Sequence, residues 1–106
     1  MYHEKDLERF GEMKELAPEE FTAWVNLDRI VGRKDGAVSN KVRELIAIAV
    51  AHTTQCPYCI AVHTKAAKKA GATKKEVAET VFVAAALRAG GAAAHGTMAM
   101  RVYDEA

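Results

Sequence analysis

The chain has 106 residues, half of them apolar and 27% charged, which fits one globular domain around one core rather than a disordered chain. A net charge of +1 with no basic stripe excludes a nucleic-acid footprint, and 7% aromatic residues leave no base-stacking platform. Met1–Asp6 is charged and lacks the apolar stretch of a signal peptide. Leu45–Thr64 carries no formal charge, but His52, Thr53, Thr54, Gln55, Pro57 and His63 make it too polar for a membrane span. The expectation is a single cytoplasmic domain over residues 1–106, with no nucleic-acid or membrane partner.

No alternating, β-branched run lies between turn signals, and Ala is abundant, so the chain reads as all-α, a compact bundle of about six helices. The first helix is expected from about His3 to Leu16, with Leu7, Phe10, Met13 and Leu16 on one narrow stripe. Pro18, Glu19 and Glu20 suit the first turn of a second helix, because Pro tolerates that place and acids suit the helix dipole there. These two helices occupy residues 1–35, and Gly32–Gly36 is a polar turn. Ser39 can cap a third helix over about Asn40–Thr54. That helix is polar at Lys41, Arg43 and Glu44, then apolar on every side from Leu45 to Ala51, as a buried helix is.

Pro57 opens a fourth helix, which ends on Gly71 as its C′ glycine. Thr73 and Glu76 form a capping-box pattern that starts a fifth helix. Gly90-Gly91 is expected to interrupt it, leaving a last helix over about Ala92–Asp104. The third, fifth and sixth helices carry more apolar surface than one short bundle hides, so a homo-oligomer with helical interfaces is expected.

The chemistry is concentrated in Gln55-Cys56-Pro57-Tyr58-Cys59-Ile60-Ala61-Val62-His63, which holds both cysteines. Residues three and four apart are neighbours on a helix, so Cys56 can pair with Cys59 and His63 can reach the Cys59 sulfur. The helix N-terminus and the imidazole both favour a thiolate, the reactive form of cysteine. If the third and fourth helices form an antiparallel hairpin, Glu44 comes alongside His63 and can orient it.

Other readings compete with this one. Cys56, Cys59 and His63 are also zinc-type ligands, but a fourth would have to be His95, His52 or Glu44, with no second C-x-x-C or H-x3-H, so no metal and no cofactor is expected. An inert cysteine pair is disfavoured by the helix-start position. His63 could be a core histidine and Glu44 a solvated helix-edge residue. His52 and His95 read as structural, Trp24, Phe21 and Phe82 as core or interface, and Met98 and Met100 as an adaptable packing surface.

The spacing Glu44-x11-Cys56-x2-Cys59-x3-His63, with Arg43–Val50 and the Glu76–Gly91 helix around it, resembles the AhpD-like alkylhydroperoxidase branch of the carboxymuconolactone decarboxylase family. The likeness covers about residues 40–95. It implies an all-helical fold assembled as dimers, trimers or hexamers, and thiol-dependent reduction of a small-molecule hydroperoxide. Carried over by matching position, it makes Cys59 the attacking thiolate, Cys56 the resolving thiol, and His63 with Glu44 the proton relay. It also implies a thiol or lipoyl-type protein reductant.

Two departures stand out. The alkylhydroperoxidase has histidine immediately before its second cysteine where this chain has Tyr58, and it is longer, with two related halves. Two rival functions remain at this point: lactone decarboxylation, which needs no cysteine pair, and a non-catalytic module whose disulfide senses redox state.

Overall fold

The computed structural model describes residues 1–106. It is all-helical, with a 3-10 turn at Asp6–Arg9 and five α-helices: α1 (Phe10–Leu16), α2 (Pro18–Val31), α3 (Asn40–Thr53), α4 (Pro57–Lys69) and α5 (Lys74–Glu105). The expected first helix is thus split. The Asp6 carboxylate accepts from the His3 N–H at 3.0 Å and turns the chain tightly at its start. Ala17 ends α1 with extended-side dihedrals, because a residue before proline is pushed out of the α region.

The local signals of the middle elements act as expected. Ser39 Oγ accepts from the Val42 N–H at 3.3 Å and caps α3. Thr73 and Glu76 close a reciprocal capping box at the start of α5. α4 ends in a Schellman turn: Gly71 takes φ +96°, and the Ala72 N–H donates to Ala67 O at 2.9 Å. α3 ends in the same turn, with the Cys56 N–H on Ala51 O at 3.0 Å, but there Gln55 holds the left-handed position at φ +56°.

Gly90-Gly91 does not break α5, so the bundle has five helices rather than six. Both glycines keep negative φ. A helix-interior glycine costs only about 1 kcal/mol relative to Ala, and Ala92–Ala94 offer no capping side chain to start a new helix.

The core is a three-helix layer. α4 folds back antiparallel on α3, and α5 then runs parallel to α3. Lys41 pairs with Glu76 at 2.9 Å where α3 and α5 begin, and Arg88 donates to Thr53 O at 2.9 Å where α3 ends. That guanidinium satisfies an orphan carbonyl at the negative end of the α3 dipole. Ile48 and Ala51 of α3, Ala67 of α4 and Ala84 of α5 are the buried residues, and the three alanines let the helices approach closely around Ile48. Past Arg88, α5 continues for roughly 25 Å at 1.5 Å per residue with no partner helix. Phe10, Phe21 and Trp24 join α1 to α2 with ring centroids 5.4–5.8 Å apart.

Only four residues of 106 are buried, and the radius of gyration is 17.8 Å, against about 13 Å for a compact chain of this length. Val42, Ile46 and Val50 form an exposed stripe on α3, and Phe82, Leu87 and Met98 stand exposed on α5. By length and composition alone, α5 is also long and apolar enough to cross a membrane.

Candidate active site

The site lies at the α3–α4 hairpin. Cys56 is the N-cap of α4, and its Sγ accepts from the Cys59 N–H at 3.2 Å, where a Ser or Asp oxygen usually sits. Pro57 fills the first helical position, which needs no N–H. Three residues on, Cys59 faces back, and the two cysteines are joined as a disulfide with Cα atoms 5.3 Å apart. Both sulfurs sit in the first turn of α4, where the helix dipole favours negative charge.

Glu44 and His63 meet across the hairpin. Glu44 Oε2 lies 2.7 Å from His63 Nδ1. The carboxylate can only accept when ionised, so Nδ1 carries the hydrogen and the lone pair is left on Nε2. The Glu44 side chain is 15% exposed and that of His63 31%, so the pair is shielded yet open at one edge.

Cys59, His63 and Glu44 line one cavity of about 540 Å³, together with Asp28 and Val31 at the end of α2 and Arg43, Ile46 and Val50 of α3. Cys56 does not line it. Of the two cysteines, Cys59 alone borders the cavity.

Tyr58 stands apart from this set. Its hydroxyl donates to the Asp6 carboxylate, and its ring packs on Tyr2 with centroids 4.8 Å apart. That hydrogen bond holds the Asp6 carboxyl below its ordinary range and pushes the phenol up, away from neutral titration. His52 donates from Nδ1 to Ile48 O at 2.8 Å, and His95 from Nδ1 to Gly91 O at 2.9 Å. Both rings thus brace their own helices, and His95 sits on the overhanging part of α5.

The sequence pattern of the carboxymuconolactone decarboxylase family matches residues 18–101. The chain belongs to that family. The match reaches beyond the 40–95 core to include α2, the helix that walls the cavity. A carboxymuconolactone decarboxylase family protein from Legionella pneumophila, solved in its apo form, superposes with a TM-score of 0.72 at 32% identity. The alignment covers 96% of this chain and 91% of that one. An uncharacterised protein of the Paracoccus denitrificans cox locus is 47% identical over 83 residues, covering 78% of this chain and 74% of its own length. An uncharacterised Cupriavidus necator protein is 27% identical over 96 residues, covering 91% and 84%.

Within this family member, sequence reasoning missed the far wall of the cavity. Arg43 reads from sequence only as part of the polar start of α3, and Gly32–Gly36 only as a turn. In the fold Arg43 donates from Nε to Val38 O at 2.9 Å and from Nη1 to Val31 O at 2.6 Å, tying that turn to α3. The available signal was a glycine turn just ahead of an arginine one helical turn into α3.

Proposed function

We propose that the protein is a thiol-dependent peroxidase of antioxidant defence, reducing hydroperoxides through a Cys56–Cys59 disulfide cycle. The observation that carries this reading is the division of the sulfurs: Cys59 faces the cavity with His63 and Glu44, and Cys56 lies outside it. In the dithiol state, His63 Nε2 takes the Cys59 proton, and Glu44 stabilises the resulting imidazolium. The thiolate attacks the distal peroxide oxygen, the O–O bond breaks, and the alkoxide takes a proton from His63 to leave as an alcohol. Cys59 is then a sulfenic acid. The Cys56 thiol attacks that sulfur, forms the disulfide and releases water. A dithiol reductant, free or lipoyl-type on a protein, supplies two electrons and two protons to restore both thiols.

Cys56, the N-cap of α4 and not a cavity-lining residue, is the sulfur we assign to meet that reductant. A cytoplasmic setting, where thiols are kept reduced, is consistent with this cycle. The reading includes a homo-oligomer, a trimer or hexamer, and the exposed apolar stripes on α3 and α5 support it.

The test starts from the fully reduced protein. One equivalent of hydrogen peroxide or an organic hydroperoxide should form the Cys56–Cys59 disulfide. Cys56→Ser should stop at a sulfenic acid on Cys59, and Cys59→Ser should scarcely react. His63→Ala should slow the oxidation by roughly 10²-fold or more, the usual worth of a positioned base. No disulfide with either peroxide would sink the proposal. Sulfenic acid found on Cys56 in the Cys59→Ser variant would reverse the order of attack.

A further inference from the structure

The apolar wall of the cavity is open to solvent. Val42, Ile46 and Val50 stand four residues apart on one side of α3, in a row about 12 Å long. Ile46 and Val50 line the cavity and are each more than half exposed, as is Val31 of α2. A single chain therefore leaves the site wet along one side. α5 has the opposite feature, a packing face that outruns its partner. Ala84 is buried where α5 lies on α3, and Arg88 reaches Thr53 O at the end of α3. The same face continues at helical spacing through Gly91, His95, Met98 and Val102, past the point where α3 stops. Met98 and Val102 are each more than half exposed, and no heavy atom lies within 4 Å of a β-carbon built on Gly91. The surface left over is large. The chain exposes 8488 Å², against about 5,800 Å² for a compact chain of its mass. An obligate interface removes about 1,000–2,500 Å² from each partner, and the excess is of that order.

We propose that the Gly91–Met98–Val102 face of one copy packs along the Val42–Ile46–Val50 row of a second copy, so that Met98 closes the neighbour's cavity over Cys59 and His63. That face of α5 is patterned to lie on α3, and its own α3 ends at Thr53. A second copy supplies another α3, whose open side is the apolar row. Gly91 lets the two backbones approach, and the unbranched Met98 side chain adapts to the irregular mouth of the cavity. The site is then built from two copies. The inference rests on the homo-oligomer of the reading above and not on peroxide reduction.

Thiol protection tests this without any peroxide, in the reduced Cys56→Ser chain, whose one thiol is Cys59. Alkylation by iodoacetamide should slow about tenfold as protein concentration rises through the association measured by sedimentation, because assembly covers the cavity. In the same background, Met98→Glu puts a charge into the apolar contact, and its Cys59 should alkylate at the fast rate at every concentration. Met98→Leu should keep the protection. An excess of the thiol-free Cys56→Ser/Cys59→Ser chain, whose overhanging helix is intact, should restore protection to the Met98→Glu chain in mixed oligomers. A chain that stays monomeric at every concentration overturns the inference and the homo-oligomer together. Assembly without a change in alkylation, protection that survives Met98→Glu, or a loss that mixing does not restore overturns the inference alone and leaves the oligomer and peroxide reduction standing. Protection as expected, with no disulfide formed by any peroxide, sinks the peroxidase reading and leaves the shared site in place.

Discussion

α5 is one helix in two surroundings. From Lys74 to Arg88 it lies along α3, anchored by the Lys41–Glu76 pair at one end and the Arg88–Thr53 bond at the other. From Ala89 to Glu105 it has no partner helix, and Met98, Met100, Val102 and Tyr103 are exposed. The apolar density of the two halves is similar, so composition alone does not decide burial. What decides it is whether another helix runs alongside, and α3 stops at Thr53.

The largest effect is expected from cutting a side chain enclosed where α3 is packed, set against one that α5 leaves exposed even beside α3. Ile48 is fully buried between α3 and its neighbours, so Ile48→Ala should lower unfolding free energy by about 2–5 kcal/mol. Leu87, 67% exposed, should cost under about 0.5 kcal/mol as Ala when the protein is dilute enough to be monomeric. Urea unfolding at two protein concentrations checks this. A Leu87→Ala cost that grows with concentration locates that face in an assembly interface, because association stabilises the folded state by mass action.

Next in size is the glycine pair where the surroundings change. No heavy atom lies within 4 Å of a β-carbon built on Gly90 or Gly91. In the isolated chain, the Gly90→Ala/Gly91→Ala double variant should therefore stabilise α5, by about 1 kcal/mol per site. Loss of oligomer on size-exclusion chromatography, with helicity raised, would mean that a partner helix needs the bare backbone there.

How much was legible in the sequence follows the range of each interaction. Ser39, Thr73 with Glu76, and Gly71 act within four residues of themselves, and each lies where the sequence indicates. Glu44 and His63 are 19 residues apart, yet a helix hairpin is a simple enough geometry for two helical periods to bring them together. The Tyr58–Asp6 contact spans 52 residues and depends on how the N-terminal segment folds back, for which no periodic signal exists. The bonds from Arg43 to Val31 O and Val38 O need the conformation of the 32–39 turn, which no pattern fixes. Gly90-Gly91 misleads for an energetic reason: two interior glycines cost less than ending and recapping a helix would.

A smaller contrast lies within the packed region, between its two Schellman turns. Gly71 holds φ +96°, which L side chains rarely adopt, so Gly71→Ala should destabilise by about 1–2 kcal/mol. Gln55 already bears the cost of a side chain at φ +56°, immediately before Cys56, and Gln55→Gly should recover up to about 1 kcal/mol. Thermal unfolding of the two variants should thus move in opposite directions. If Gln55→Gly stabilises the fold but slows disulfide formation, the strained turn contributes to aligning the cysteines.

The smallest expected difference returns to α5, where each half carries one ion pair. Lys41–Glu76 joins two helices, and hydrogen bonding from Lys41, then the Thr73 N–H, lowers the Glu76 pKa below its ordinary value. A depressed folded-state pKa stabilises the fold above the unfolded value, and that stabilisation is lost as pH falls through the folded one. Arg101–Glu105 is an i,i+4 pair on the overhanging half, with both side chains about 60% exposed, so solvent screens it. Acid titrations of thermal stability should therefore fall less steeply below about pH 4.5 in Glu76→Gln than in the natural chain. In Glu105→Gln the acid limb should keep its slope. An equal flattening in both variants would mean that the far half of α5 is held as firmly as the near half, and that the contrast between them is one of exposure alone.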